Sequence, residues 1–99
     1  MSRCTIYITP EAWSEVKHLP GHMRQRVKRA IDALASEPRP SGSKALELPA
    51  CEHQVRRLRL NMWRIVYMVA ESELTVDVVA VRKRPPYDYG DLAALLRDL

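Results

Sequence analysis

Val55-Arg56-Arg57-Leu58-Arg59-Leu60-Asn61-Met62-Trp63-Arg64-Ile65-Val66-Tyr67 is the stretch on which the fold turns. From Gln54 to Leu60 the period is two. Leu58 and Leu60 alternate with Arg57 and Arg59, which describes a strand with one apolar and one cationic face; the facing of Val55 stays open. Asn61-Met62 supplies a tight turn. Trp63 to Ala70 is apolar nearly throughout and reads as a strand buried on much of both faces. Glu71-Ser72 turns the chain again, and Leu74 to Val81 completes a meander.

Working outward, Ala45 to Leu48 is a short strand ended by Pro49, and Pro85-Pro86 stops the last strand. Upstream, Arg3 to Thr9 alternates and is rich in β-formers, a first strand. Thr9-Pro10-Glu11 is a helix start: a threonine N-cap, proline in the first turn, and an acid near the positive end of the dipole. Ala12, Trp13 and Val16 form its apolar stripe, with Leu19 near its end, and Pro20-Gly21 breaks it. A second helix runs from about His22 to Ala35, where Met23, Val27, Ala30, Ile31 and Leu34 keep the spacing of one buried face. Glu37 to Ser43 is a loop by composition. From about Asp88 a third helix carries Leu92, Leu95, Leu96 and Leu99, with Asp88 and Asp91 in its first turn. The order β-α-α-β-β-β-β-α implies an α+β fold: an N-terminal strand, an αα-hairpin, an antiparallel sheet of about four to five strands, and a C-terminal helix.

A chain of 99 residues fits one domain, and no linker, repeat or low-complexity tract divides it. No apolar run reaches the roughly 20 residues of a membrane-spanning helix. The opening Met1-Ser2-Arg3-Cys4-Thr5 lacks the apolar stretch of a secretory signal, so a cytoplasmic location is expected. Cys4 and Cys51 make no disulfide framework, and His18, His22 and His53 are too scattered for a zinc pattern. Two reduced thiols, no metal and no cofactor are expected. The net charge of +4 is modest, but seven of the sixteen basic residues sit in two acid-free stretches. These are Arg56, Arg57, Arg59 and Arg64, then Arg82-Lys83-Arg84. Such clustering suits a polyanion site, or equally a solvated face.

With those residues in that order, the chain resembles the RelE/ParE toxin superfamily over nearly its whole length. Members show an alternating basic strand, a short turn and then aromatic-Arg-aliphatic-aliphatic-Tyr, which residues 55–67 match. Val79-Ala80-Val81-Arg82-Lys83-Arg84 followed by tyrosines matches the basic end of the family's later strand. The resemblance implies a type II toxin that acts on RNA or the translation machinery without metal. RelE-like members cut mRNA in the ribosomal A site, whereas ParE-like members inhibit DNA gyrase and are not nucleases. The retained cationic and tyrosine positions favour ribosome-dependent mRNA cleavage here. The alternatives are a non-nuclease gyrase inhibitor and a plain RNA-binding module. Expected partners are a cognate antitoxin in a hetero-oligomer, and the ribosome with its mRNA.

In ribosome-dependent cleavage the RNA's own 2′-OH attacks the neighbouring phosphate. Arginine suits the pentavalent transition state because its planar fork binds phosphate oxygens bidentately. Arg64 and Arg84 match the family's two most persistent arginines and are the expected clamps. Arg57 and Arg59, with Arg56 and Arg82, are expected to hold phosphates. Arginine is a poor base, so proton transfer falls to Tyr89 or Tyr87, whose alignment with the family's C-terminal tyrosine is ambiguous. Family nucleases often carry lysines where Arg57 and Arg59 stand, which leaves Lys83 as the nearby lysine for a general acid. Structural readings stand beside these. Arg64 could pair with Asp77 across the sheet, Tyr67 reads as core with its hydroxyl bonded, and Trp63 packs or stacks on a base. His53 reads as a loop residue, and Trp13, Val27 and Ile31 as core.

Overall fold

The computed structural model describes residues 3–46 and 54–83. Five strands and two helices follow in the order β1 (Thr5–Ile8), α1 (Pro10–Lys17), α2 (Gly21–Ala33), β2 (Ser43–Leu46), β3 (Gln54–Leu60), β4 (Trp63–Ala70) and β5 (Thr75–Lys83), with a 3-10 turn at Glu71–Glu73. The strands form one sheet in the order β1-β5-β4-β3-β2. The expected C-terminal helix and the expected strand residues Glu47 and Leu48 lie outside the described residues, as do Cys51 and His53.

The β3–β4 hairpin begins and ends where its alternation predicts. Asn61 takes φ 56° in the connecting turn, a left-handed conformation that asparagine tolerates better than most side chains. Seven of the eight β4 residues are buried, Trp63 being the half-buried one, as the apolar run of this central strand predicts. The antiparallel expectation holds from β2 through β5. β1 departs from it and pairs with β5 in parallel, Thr5 beside Thr75 and Ile8 beside Val78. The helical hairpin carries the chain away from β1, and the meander returns only its last strand to that edge. The Thr5 amide donates to Leu74 O at 2.8 Å and the Thr9 amide to Val78 O at 3.0 Å, bracketing the pairing.

α1 starts as its residues require. Thr9 Oγ1 accepts from the Ala12 amide at 3.2 Å, Pro10 occupies the first turn, and Glu11 sits near the positive end of the dipole. Ala12, Val16 and Leu19 are buried with Met23, Val27, Ile31 and Leu34 of α2, against Ile65, Tyr67, Val69, Val76, Val78 and Val81 of the sheet. This is the core, between the helical hairpin and one sheet face. Trp13 is a correction to the sequence reading. It is 37% exposed. One residue on from Ala12 turns it roughly 100° around the helix, off the buried stripe. There Lys17 and Lys28 place their Nζ atoms 5.7 and 5.3 Å from its ring centroid, so the indole serves as a cation–π platform at the surface.

β2 begins two residues before its expected start, at Ser43, which pairs with Leu58. The Ser43 hydroxyl donates to Pro40 O at 2.7 Å and accepts from Arg56 Nη2 at 2.8 Å. Tyr67, fully buried, donates its hydroxyl to Pro38 O at 2.7 Å, as expected of a core tyrosine with a bonded hydroxyl. Arg39 Nε donates to Gln54 Oε1 at 2.8 Å. The proline-containing loop before β2 is thereby tied to the sheet at three points.

Candidate nucleic-acid interface

Register decides which cations meet. Leu58 is paired with Ile65, and Leu60 with Trp63, on the helix-covered face. Arg57 is paired with Val66 and Arg59 with Arg64, so both arginines of β3 stand on the opposite face. Arg64 is in turn paired with Arg82 of β5. Arg59, Arg64 and Arg82 therefore form one row across three strands, anchored within about 10 Å at the spacing of neighbouring strands. Lys44 of β2 pairs with Arg57 and adds a second cationic pair one row along.

Arg82 reaches this row through an irregularity. Before it, Tyr67 pairs with Val78 on the helix side; after it, Val66 pairs with Ala80 on the other, and Val79 has no residue opposite. Side chains alternate along a strand, so if Val79 were paired in uninterrupted alternation Arg82 would share the face of Val76 and Val78. The bulge moves Arg82 to the face of Arg64, the re-aiming that bulges perform beside functional sites.

Arg59 is exposed, Arg82 half-buried, and Arg64 only 6% exposed, the one charged side chain buried among the described residues. Glu15 of α1 meets Arg82 at the edge of β5, with Arg82 Nε 3.3 Å from Glu15 Oε2. Asp77, the expected alternative partner of Arg64, stands on the same sheet face, beside Met68 in the register. The row concentrates positive charge on one face of the sheet, an arrangement that suits an anion.

Not every expected phosphate ligand joins the row. Arg56 falls on the helix-covered side, between the positions of Leu58 and Val55's neighbour Gln54, and its guanidinium is engaged by Ser43 Oγ at 3.1 and 2.8 Å and by Ser43 O at 3.4 Å. Strand alternation alone separates it from Arg57. Lys83 is exposed and paired with Trp63, on the face opposite Arg82. Trp63 packs against the core. Arg84, Tyr87 and Tyr89 lie outside the described residues. Lys44 and Glu15 were missed by the sequence reading. Lys44 stands one residue before the expected strand, and no local signal ties Glu15 to a strand 66 positions away. Among the described residues no group of three or more His, Cys, Asp or Glu converges as a metal site would require, and no helix is long and apolar enough to cross a membrane.

The family model described as ParE toxin of type II toxin-antitoxin system, parDE, matches residues 6–85. The chain belongs to that family. Solved structures share the fold of this toxin. The archaeal RelE of a RelE–RelB complex from Pyrococcus horikoshii OT3 is 21% identical, covers 83% of this chain and 96% of its own, and gives a TM-score of 0.74. The isolated RelE toxin of E. coli is also 21% identical, covers 97% of this chain and 99% of its own, and gives 0.69. A YoeB/ParE toxin from Agrobacterium tumefaciens is 19% identical, covers 82% and 99%, and gives 0.63. Nothing among the curated proteins matches the toxin.

Proposed function

We propose that this toxin is a ribosome-dependent mRNA endonuclease that stops translation. The row Arg59–Arg64–Arg82, extended by Arg57 and Lys44, carries the reading: it concentrates cations on one sheet face, an arrangement that suits a polyanion. In the reaction the 2′-oxygen bonds to the adjacent phosphorus as the P–O5′ bond breaks, leaving a 2′,3′-cyclic phosphate and a 5′-hydroxyl. The 2′-OH proton passes to a base and the departing 5′-oxygen takes one up. Arg64 and Arg84 clamp the non-bridging oxygens as negative charge grows, while Arg57, Arg59 and Arg82 hold the flanking phosphates. Tyr89, or Tyr87 beside it, handles a proton or stacks on a base; Lys83, on the opposite face, takes no part in this scheme. The ribosome supplies the substrate geometry, which places the toxin in the cytoplasm.

A cognate antitoxin completes the reading. The RelE proteins of P. horikoshii, Mycobacterium tuberculosis and E. coli have been solved with RelB antitoxins or as RelBE complexes. An antitoxin that covers the cationic face of this toxin would neutralise the arginine row and silence it in a hetero-oligomer.

The match to a ParE model favours a second reading, inhibition of DNA gyrase without nuclease activity. One experiment separates the two. Primer extension on an mRNA in a cell-free translation reaction compares wild type, Arg84→Ala and Tyr89→Phe, with and without ribosomes, beside a gyrase supercoiling assay. Ribosome-dependent cuts that fade in the variants support the nuclease. Intact mRNA with blocked supercoiling supports the gyrase inhibitor.

A further inference from the structure

β1 ends at Ile8, and the chain turns into α1 while β5 continues to Lys83. Past Val78 the outer edge of β5 has no β1 residue beside it. Glu15 of α1 takes that place. Its Oε1 accepts the Val81 amide at 3.1 Å, and its Oε2 accepts Arg82 Nε at 3.3 Å. The helix cannot roll away, because Ala12 and Val16 on either side of Glu15 are fully buried.

We propose that Glu15 is a positioning residue of the cationic site, orienting Arg82 for the phosphate it meets; the inference rests on the RNA-binding reading above. An ordinary surface ion pair joins two flexible side chains and contributes little. Here a backbone amide fixes one carboxylate oxygen, so the other is already aimed when Arg82 packs against it. The same carboxylate places one negative charge at the end of a row of three arginines. Glu15 touches no reacting atom in this scheme and acts through Arg82.

The two roles an acid can have beside a polyanion site differ in sign. Glu15→Gln keeps an oxygen for the Val81 amide and removes the charge that holds Arg82, raising the net charge from +4 by one. Were Glu15 only a repulsive neighbour of phosphate, that change would tighten RNA binding. As a positioning residue, its loss weakens binding roughly threefold to fivefold, the scale of one partly exposed charged contact. The probe is a fully 2′-O-methylated RNA oligonucleotide, which binds but lacks the attacking hydroxyl. Glu11→Gln, at an exposed acid of the same helix, is the control and leaves binding unchanged or tighter. A second readout needs no RNA: the Nε–H resonance of Arg82 in a 15N spectrum shifts in Glu15→Gln and stays put in Glu11→Gln. Weaker binding together with a shifted resonance supports the assignment. Equal or tighter binding, or an unmoved Arg82 resonance, overturns it. A wild type that does not bind the oligonucleotide counts against the RNA reading instead, and a shifted Arg82 resonance then still supports the positioning contact.

Discussion

Arg64 and Arg82 stand opposite one another on adjacent strands, on the face away from the helices, because the register slips by one residue between Val66 and Tyr67. Two long cations in a directly opposed pair gain nothing from each other. Their juxtaposition makes sense as a fork for an anion, and replacing Arg64 tests it. Arg64→Lys keeps the charge but loses the bidentate geometry. Ribosome-dependent cleavage should fall on the order of 100-fold, the cost of removing one preorganised donor from a transition-state site. Cleavage rates on stalled ribosomal complexes measure this, with a melting curve to confirm that Arg64→Lys remains folded.

Arg57 and Arg56 are neighbours in sequence and differ in face, which yields opposite phenotypes. Arg57→Ala should weaken RNA binding and reduce the slope of log affinity against log salt by about one phosphate contact. Arg56→Ala should leave the slope unchanged and lower stability by about 1–2 kcal/mol, since Ser43 loses its donors. Salt titrations and chemical denaturation of the two variants suffice. A reduced slope in Arg56→Ala would reverse the assignment of faces.

Tyr67→Phe removes one hydroxyl that donates to Pro38 O and nothing that faces the cationic row. Stability should drop by about 1 kcal/mol, since the Pro38 carbonyl loses its donor and the ring still fills the core. The RNA salt slope should stay at its wild-type value. Urea unfolding and the same salt titration read both quantities.

Leu74 holds φ at 53° while 44% exposed, a left-handed leucine with little packing to compensate. Leu74→Gly should therefore stabilise the fold by up to about 1 kcal/mol, the backbone gain being larger than the lost apolar contact. A raised melting temperature supports this; a fall would show that the side chain packs better than its exposure implies.

The fold was legible where two signals coincided. Alternation in β3 and a continuous apolar run in β4 met a turn containing an asparagine able to adopt positive φ, and both strands begin and end as read. The parallel pairing of β1 was not legible, because a short alternating strand does not encode its neighbour. Trp13 was misplaced because size suggests burial, while its angular position on α1 puts it beside two lysines. The cationic site was half legible. Alternation along β3 sorted Arg57 and Arg59 correctly and, applied one residue earlier, would have set Arg56 apart. Arg82 could not be assigned to a face, since Val76 to Val81 is apolar at all but Asp77 and offers no parity to count. Glu15 depends on tertiary approach alone.

The residue without a partner, Val79, acts as a frame marker for β5. Upstream of it odd-numbered positions lie away from the helices; downstream the even-numbered ones do. Core and cationic site therefore share one origin of counting. Deleting Val79 would restore plain alternation, with Ala80, Val81 and Arg82 keeping their partners and faces, whereas a residue inserted between Val79 and Arg82 would turn Arg82 inward unless a second bulge absorbed it. The strand can lose a residue at its frame marker, but it cannot gain one beyond it.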